Sequence, residues 1–296
     1  MSIKIDGSAY LKSIKESNFI ERVNELREHG CEVSLATVLV GEDPASIRYV
    51  NSKHKDCEEV GIKSIRVELS ANSTTAEVIE AVHKLNNDDS VTGYIVQLPL
   101  PEHIDQDSVL NSINPNKDAD GLSAINMGEL MRDIDGKFNY PVPCTPMGII
   151  RLIRAFCGYN VFNGAEVCVI GRGATVGRVI GPMLTAKSVN ATAVLCHTGT
   201  RNLEECIWNA DIVISCAGSP DIIKPYMVRP EQILVDVGIS RRFDSEKDKY
   251  VIAGDIDKRC YDKCKAYTPN PGGVGPMTRA MLLDNVISIA ERKCCD

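Results

Sequence analysis

Four short apolar runs constrain the fold of this chain more than any other feature. They are Val167-Cys168-Val169-Ile170, Ala193-Val194-Leu195-Cys196, Ile212-Val213-Ile214-Ser215 and Ile233-Leu234-Val235-Asp236-Val237. A strand that is apolar on both faces must be covered on both faces, which is the condition of a parallel sheet between helices. The first run leads directly into Gly171-Arg172-Gly173-Ala174-Thr175-Val176-Gly177. A strand running into a glycine-rich helix start is the arrangement of Rossmann-like nucleotide-binding domains. Here Gly171 permits the tight turn and Gly173 permits close approach of a pyrophosphate. The helix N-terminus adds free N–H groups and a favourable dipole. The spacing is one residue longer than the usual fingerprint.

The first part of the chain alternates helical and strand patterns in the manner of βαβ units. Helices are predicted over 14–26, 46–60 (closed by Gly61) and 75–85, where Val78, Ile79, Val82 and Leu85 make an apolar stripe. Strands are predicted over 33–40 and 94–98. The turn-rich segment 133–146 is the expected boundary. The fold expected is therefore α/β with two domains: an N-terminal α/β domain over 1–142, and a Rossmann-like parallel-sheet domain over 143–272. A C-terminal helix, returning to the first domain, completes it with residues 273–296.

The chain has 296 residues, a net charge of −7 and twelve cysteines. That charge argues against a general nucleic-acid surface. No apolar run approaches the ~20 residues needed to span a bilayer. The N-terminus lacks a signal-peptide or transit-peptide pattern, so a cytoplasmic protein is expected. The cysteines are scattered, several within strand-like runs, and neither a metal site nor a disulfide is expected, at Cys260 and Cys264 or at Cys294 and Cys295.

Residues at the end of the strand after the glycine loop bear on the cofactor. An NAD site commonly places an acid about twenty residues beyond the glycines. Here the stretch is His197-Thr198-Gly199-Thr200-Arg201, without an acid. Hydroxyls together with Arg172 or Arg201 suit a 2′-phosphate, which favours NADP and leaves NAD as the alternative. Residues 268–278 hold six Gly or Pro among eleven residues and precede an apolar helical pattern. Such a stretch reads as a rigid loop shaped against a flat ligand, ending at a helix N-terminus. Tyr49 and Lys53 lie four residues apart on one helix face. Gln97 lies at a strand's C-terminal end, where open α/β sheets bind ligands.

Five segments resemble, in order, the bifunctional methylenetetrahydrofolate dehydrogenase/cyclohydrolase family. They are Tyr49-Val50-Asn51-Ser52-Lys53, Val96-Gln97-Leu98-Pro99-Leu100-Pro101, Lys117-Asp118-Ala119-Asp120-Gly121-Leu122, Pro143-Cys144-Thr145-Pro146, and residues 268–278. With the glycine loop, the resemblance covers essentially the whole chain. It implies that Lys53 is the central catalytic residue, with Gln97 as its partner and Tyr49 stacking on the folate rings. Asp120, rather than Asp118, corresponds to the pterin-binding aspartate, and Leu98, Pro271 and Gly272 help line the folate. Cofactor contacts are implied for Gly171, Arg172, Gly173, Thr175, Val176, Gly177, His197 and Thr198. Thr278 is expected either to bind the cofactor or to cap the last helix. The resemblance implies oxidation of 5,10-methylenetetrahydrofolate with NADP, then hydrolysis to 10-formyltetrahydrofolate, by a homodimer. A monofunctional NAD-dependent dehydrogenase and a non-catalytic folate or nucleotide sensor are the rival readings. Three positions depart from the family pattern: Gly173 stands where Ser is usual, Val179 where Pro is frequent, and Asn270 where Val is common.

Overall fold

The computed structural model describes residues 2–244 and 249–295. The chain divides into two compact units. One comprises Met1–Leu11, Met131–Lys137 and Thr145–Thr278; the other comprises Lys12–Leu130, Phe138–Cys144 and Arg279–Asp296. Among the described residues the strands in chain order are β1 (Ile3–Lys4), β2 (Ser34–Val40), β3 (Lys63–Leu69), β4 (Gly93–Val96), β5 (Glu166–Ile170), β6 (Thr192–Cys196), β7 (Ile212–Ser215), β8 (Ile233–Asp236), β9 (Ser240–Asp244), β10 (Lys249–Ala253) and β11 (Ala266–Tyr267). The α-helices are α1 (Gly7–Ile14), α2 (Ile20–Glu28), α3 (Pro44–Val60), α4 (Thr75–Asn86), α5 (Gln106–Asn111), α6 (Ala124–Arg132), α7 (Cys144–Cys157), α8 (Ile180–Thr185), α9 (Leu203–Asn209) and α10 (Val274–Cys295).

The second unit is built on a parallel three-stranded sheet in the order β3-β2-β4. All seven residues of central β2 are buried, Ser34 and Thr37 among them, as a strand covered on both faces requires. β2 connects to β3 on one side, whereas the chain after β4 turns to the other side at Asp118, so a crevice opens between the C-terminal ends of β2 and β4. The apolar stripe of α4, Val78, Val82 and Leu85, packs on Val38, Val40 and Val96. Each such side chain contributes about 1.5–3 kcal/mol on full burial.

Local signals set the helix ends. The Asp43 carboxylate accepts from Ser46 N at 2.7 Å with Pro44 opening the first turn, and Gly61 closes α3 at φ +82°. Thr74 and Glu77 form a reciprocal capping box at α4. The first helical stretch runs longer than the sequence pattern predicts, because α1 continues through a π-helical turn, Lys15–Phe19, into α2.

The other unit carries a six-stranded sheet, order β1-β11-β8-β7-β5-β6, in which every pairing is parallel. Order reverses at β5, flanked by β6 and β7, so the topological switch point lies at the β5 C-terminus. β9 and β10 form a separate antiparallel hairpin. The sequence pattern misses β3, whose exposure alternates along the sheet edge, as well as the two-residue strands β1 and β11 and the hairpin. One cysteine expectation is corrected: Cys294, near the end of α10, is bonded to Cys31, which follows α2. The 263-residue separation hides that pairing from any spacing rule. Among the described residues no helix is long and apolar enough to cross a membrane, and no group of three or more His, Cys, Asp or Glu is placed to hold a metal ion.

Candidate active site

Helix α3 follows β2 and brings Lys53 to the β2/β4 end of the three-stranded sheet. Lys53 is 5% exposed, and its Nζ donates to Gln97 Oε1 at 3.2 Å. Gln97 continues β4, with its N–H donating to Val38 O at 2.8 Å. Its Nε2 donates to Leu98 O at 2.6 Å, which fixes the amide so that the oxygen faces the lysine. The Tyr49 ring, one turn earlier on α3, lies 4.6 Å from Nζ. The structure thus brings Tyr49, Lys53, Gln97 and Leu98 together.

Burial pushes the Lys53 pKa below its ordinary value, with Asp120 the largest opposing influence. Burial likewise raises the Asp120 carboxyl, and Lys53 opposes that shift. Asp120 and Asp118 take separate roles. Asp118 accepts from Gly121 N, Ser123 N and Asn126 Nδ2 at 3.0, 2.7 and 2.9 Å, so it is spent on holding the turn. Gly121 is required there: its φ is +67°, and a Cβ would lie 2.3 Å from the Val142 carbonyl carbon.

Four neighbours escaped the sequence reading. Cys144 is fully buried, its pKa driven up first by burial and then by Asp120. Asp56, three residues after Lys53 on α3, accepts from Lys15 Nζ and Arg279 Nε, both at 2.6 Å. The i, i+3 spacing from Lys53 was the available signal for Asp56. Nothing local in the sequence pointed to Lys15 or Arg279.

In the six-stranded unit, Gly171 directly follows β5 at φ +127°, and a Cβ there would meet Cys216 O at 2.6 Å. A Cβ on Gly177 would meet Gly171 O at 2.3 Å. Both glycines are therefore sterically obligatory. A Cβ on Gly173 meets nothing within 4 Å, so its glycine is not demanded by packing. The expected helix start is corrected: residues 174–179 form turns and α8 begins only at Ile180. Thr175 is exposed, whereas Val176 is buried, so its side chain is committed to packing.

After β6, residues 197–200 form a turn in which Thr200 N donates to His197 O at 2.8 Å and His197 N donates to Thr200 Oγ1 at 2.9 Å. Arg172 Nη2 donates to Thr198 Oγ1 at 3.3 Å, bringing the glycine loop and this turn together. Two buried acids unforeseen in the sequence brace the opposite side. Asp255 accepts from Ser215 Oγ and the N–H groups of Ala217, Gly218 and Ser219. Asp236 accepts from Asp255 N, Ile256 N and Asn270 Nδ2.

The proline- and glycine-rich stretch is shorter as a loop than expected. Residues 268–273 are loop, whereas residues 274–278 form the first turns of α10, with Pro276 in a position that lacks an intrahelical N–H partner. Asn270 Nδ2 donates to Gly238 O at 2.5 Å, which accounts for an amide at that position as a loop anchor. Pro271 is exposed, and Gly272, at φ +102°, accepts from Ser8 N at 3.2 Å. The hydroxyls of Thr278 and Thr145 lie 2.9 Å apart.

A Rossmann-like sheet with a glycine cradle at its switch point, and a separate α/β unit holding a buried lysine against an amide, define a two-domain α/β protein of the NAD(P)-binding class. The chain belongs to the tetrahydrofolate dehydrogenase/cyclohydrolase family. The family's catalytic-domain profile matches residues 5–120, and its NAD(P)-binding-domain profile matches residues 143–294. The chain is similar to the bifunctional methylenetetrahydrofolate dehydrogenase/cyclohydrolase of Campylobacter jejuni, at 41% identity over 99% of this chain and 100% of that one, with a TM-score of 0.91. It is also similar to the Trypanosoma brucei methylenetetrahydrofolate dehydrogenase-cyclohydrolase solved with NADP and an inhibitor, at 32% identity over 99% and 98%, TM-score 0.89. The 5,10-methylenetetrahydrofolate dehydrogenase of the silkworm Bombyx mori matches at 32% identity over 100% of both chains, TM-score 0.89.

Proposed function

We propose that this chain oxidises 5,10-methylenetetrahydrofolate to 5,10-methenyltetrahydrofolate with NADP and hydrolyses the product to 10-formyltetrahydrofolate. The observation that carries this reading is the buried Lys53 Nζ held 3.2 Å from an uncharged amide oxygen. The nicotinamide cofactor, when bound, supplies the hydride acceptor. The loop fits such a group, because a Cβ at Gly171 or Gly177 would strike backbone, which keeps the turn tight, whereas the space beside Gly173 is open within 4 Å. Arg172 and Thr198, with no carboxylate in the 197–201 turn, suit a 2′-phosphate. Gly173, where a hydroxyl contact to phosphate is missing, favours NAD as the alternative.

In the hydrolytic step water adds to the methenyl carbon and must lose a proton. Lys53, with its pKa lowered by burial, accepts that proton as the free amine. It then returns that proton to the ring nitrogen as the carbon–nitrogen bond breaks, while the remaining hydroxyl proton passes to solvent as the formyl C=O forms, so Nζ ends as the free amine. Gln97 orients Nζ without pinning it as a cation, which a carboxylate in its place would do. Tyr49 offers a flat face to the folate rings. Asp120 accepts the 2-amino and N3–H donors of the pterin. Leu98, Pro271 and Gly272 complete the folate contacts, and Thr278 contributes on the cofactor side. As part of the same reading, the enzyme is a cytoplasmic homodimer supplying one-carbon units for purine biosynthesis. Its folate domain spans 1–142, completed by 273–296, and its nucleotide domain spans 143–272.

The test follows methenyl absorbance with NADP or NAD for wild type and Lys53→Met. The variant is expected to accumulate methenyl product, with hydrolysis down by at least about 100-fold, the usual scale for a lost general base. Wild-type hydrolysis in a folded Lys53→Met protein overturns the assignment.

A further inference from the structure

A cavity lies within the Lys53 unit, at the opposite end of β4 from Gln97. Its volume is about 520 Å³, and it is lined by residues from the α4–β4 connection, the loop before Asp118, segment 139–141 and the end of α10. Small-molecule sites typically measure about 300–1,000 Å³. Three cations, Lys117, Arg292 and Lys293, line it against a single acid, Asp89.

These cations are incompletely used. Lys117 Nζ donates to Leu85 O and Asp88 O at 3.0 and 2.7 Å, leaving one of its three N–H groups. Lys293 Nζ donates to Asp89 O at 3.2 Å, leaving two. The Arg292 guanidinium makes no hydrogen bond or ion pair among the described residues, although it offers five donors. Partial burial lowers the Lys117 pKa, and the nearby Lys293 charge lowers it further. Like charges gathered in a concave site are relieved by an anion. The side-chain amides of Asn116 and Asn139 add neutral polar groups on the same lining.

The cavity is joined to the candidate active site by backbone. Residues 117–119 form a single parallel bridge to β4: Tyr94 N donates to Lys117 O at 2.8 Å, and Ala119 N donates to Tyr94 O at 3.1 Å. Lys117 directly precedes the bridge residue Asp118 on the cavity side, and Asp120 follows it within the turn that Gly121 N closes on Asp118 O at 3.2 Å. Asn126, also in the lining, donates to both Pro115 O and Asp118 Oδ2 at 2.9 Å.

We propose that this cavity binds a phosphomonoester dianion carrying a small organic body, held by Lys117, Arg292 and Lys293, and that its occupancy biases Asp120 through segment 117–120. The effect on Asp120 rests on the folate role proposed above; the binding does not. Two energetically linked sites must affect each other equally, so a change in folate affinity implies the same change in anion affinity.

Calorimetry with the full chain, its dinucleotide site saturated with NADP, tests this with inorganic phosphate and with AMP as probes. Saturable binding of AMP, at least about tenfold weaker in Arg292→Met and Lys293→Met, is the expected result for lost charge-assisted hydrogen bonds. Tighter binding of AMP than of phosphate assigns part of the recognition to the organic body; equal binding reduces the proposal's ligand to the phosphate group and overturns that half. No saturable binding of either probe up to roughly 10 mM overturns the whole. So does binding that both substitutions leave unchanged. No turnover enters this measurement, so its failure leaves the Lys53 assignment untouched. A folate KM that AMP does not shift in wild type overturns the link to Asp120 while sparing the binding site.

Discussion

Replacing Gln97 with Glu isolates the electrostatic logic of the Lys53 site, because the two side chains share size and shape. The substitution puts a carboxylate where the amide oxygen stands, 3.2 Å from Nζ. At an effective dielectric of about 20, that separation gives an attraction of roughly 5 kcal/mol, or nearly 4 pKa units. The new carboxylate is itself buried and competes with Asp120 for the same cation, so about half that figure, roughly 2 units, is retained. Lys53 is then protonated over a pH range in which the wild type supplies free amine. Hydrolysis at neutral pH should fall by about 100-fold, and log rate should climb with unit slope into more alkaline solution. The dehydrogenase reaction should be affected far less. Stopped-flow decay of the methenyl absorbance across pH measures this directly, with Gln97→Ala as the control that removes orientation without adding charge. A Gln97→Glu profile that coincides with that of Gln97→Ala refutes the charge argument and leaves Gln97 only a geometric role.

Asp56→Ala strands Lys15 and Arg279 without their shared acceptor, and should cost about 3 kcal/mol, the low end for broken buried pairs because Arg279 is 23% exposed and Lys15 retains Glu59. Thermal unfolding checks it; an unchanged Tm removes the network from the stability account. Gly171→Ala places a methyl 2.6 Å from Cys216 O at φ +127°, and should weaken NADP binding at least tenfold in a fluorescence titration, with some loss of stability. Burial raises the Asp236 carboxyl to about 6 from 3.8, so its contribution to stability is complete below pH 3.8 and lost as pH rises through about 6. Asp236→Asn should therefore flatten the dependence of Tm on pH across that window, and a slope equal to wild type would exclude Asp236 as its source.

Much of this protein is determined by local chemistry written along the chain. The runs that became β5, β7 and β8 are apolar on both faces and have no stable alternative to burial in a covered sheet. Asp43-Pro44 and Gly61 set the ends of α3, and that helix alone puts Tyr49 and Lys53 on one face. Gly171 and Gly177 are demanded by backbone approach; the tight turn at Gly171 is legible in the sequence, whereas the steric reason for Gly177 is not. Other features exist only because distant segments meet. Lys53 is an ordinary lysine until folding buries it beside Gln97, 44 residues away, and removes the water that would hold its proton. Asp56 acquires meaning from Lys15 and Arg279, and Asp236 from Asn270. Edge strand β3, the bond between Cys31 and Cys294, and the cationic cavity of Lys117, Arg292 and Lys293 likewise lack a local signature. Periodicity and capping act over one or two turns and so are legible in sequence. Desolvation and charge pairing depend on which side chains the fold has excluded from water, and only the tertiary structure decides that.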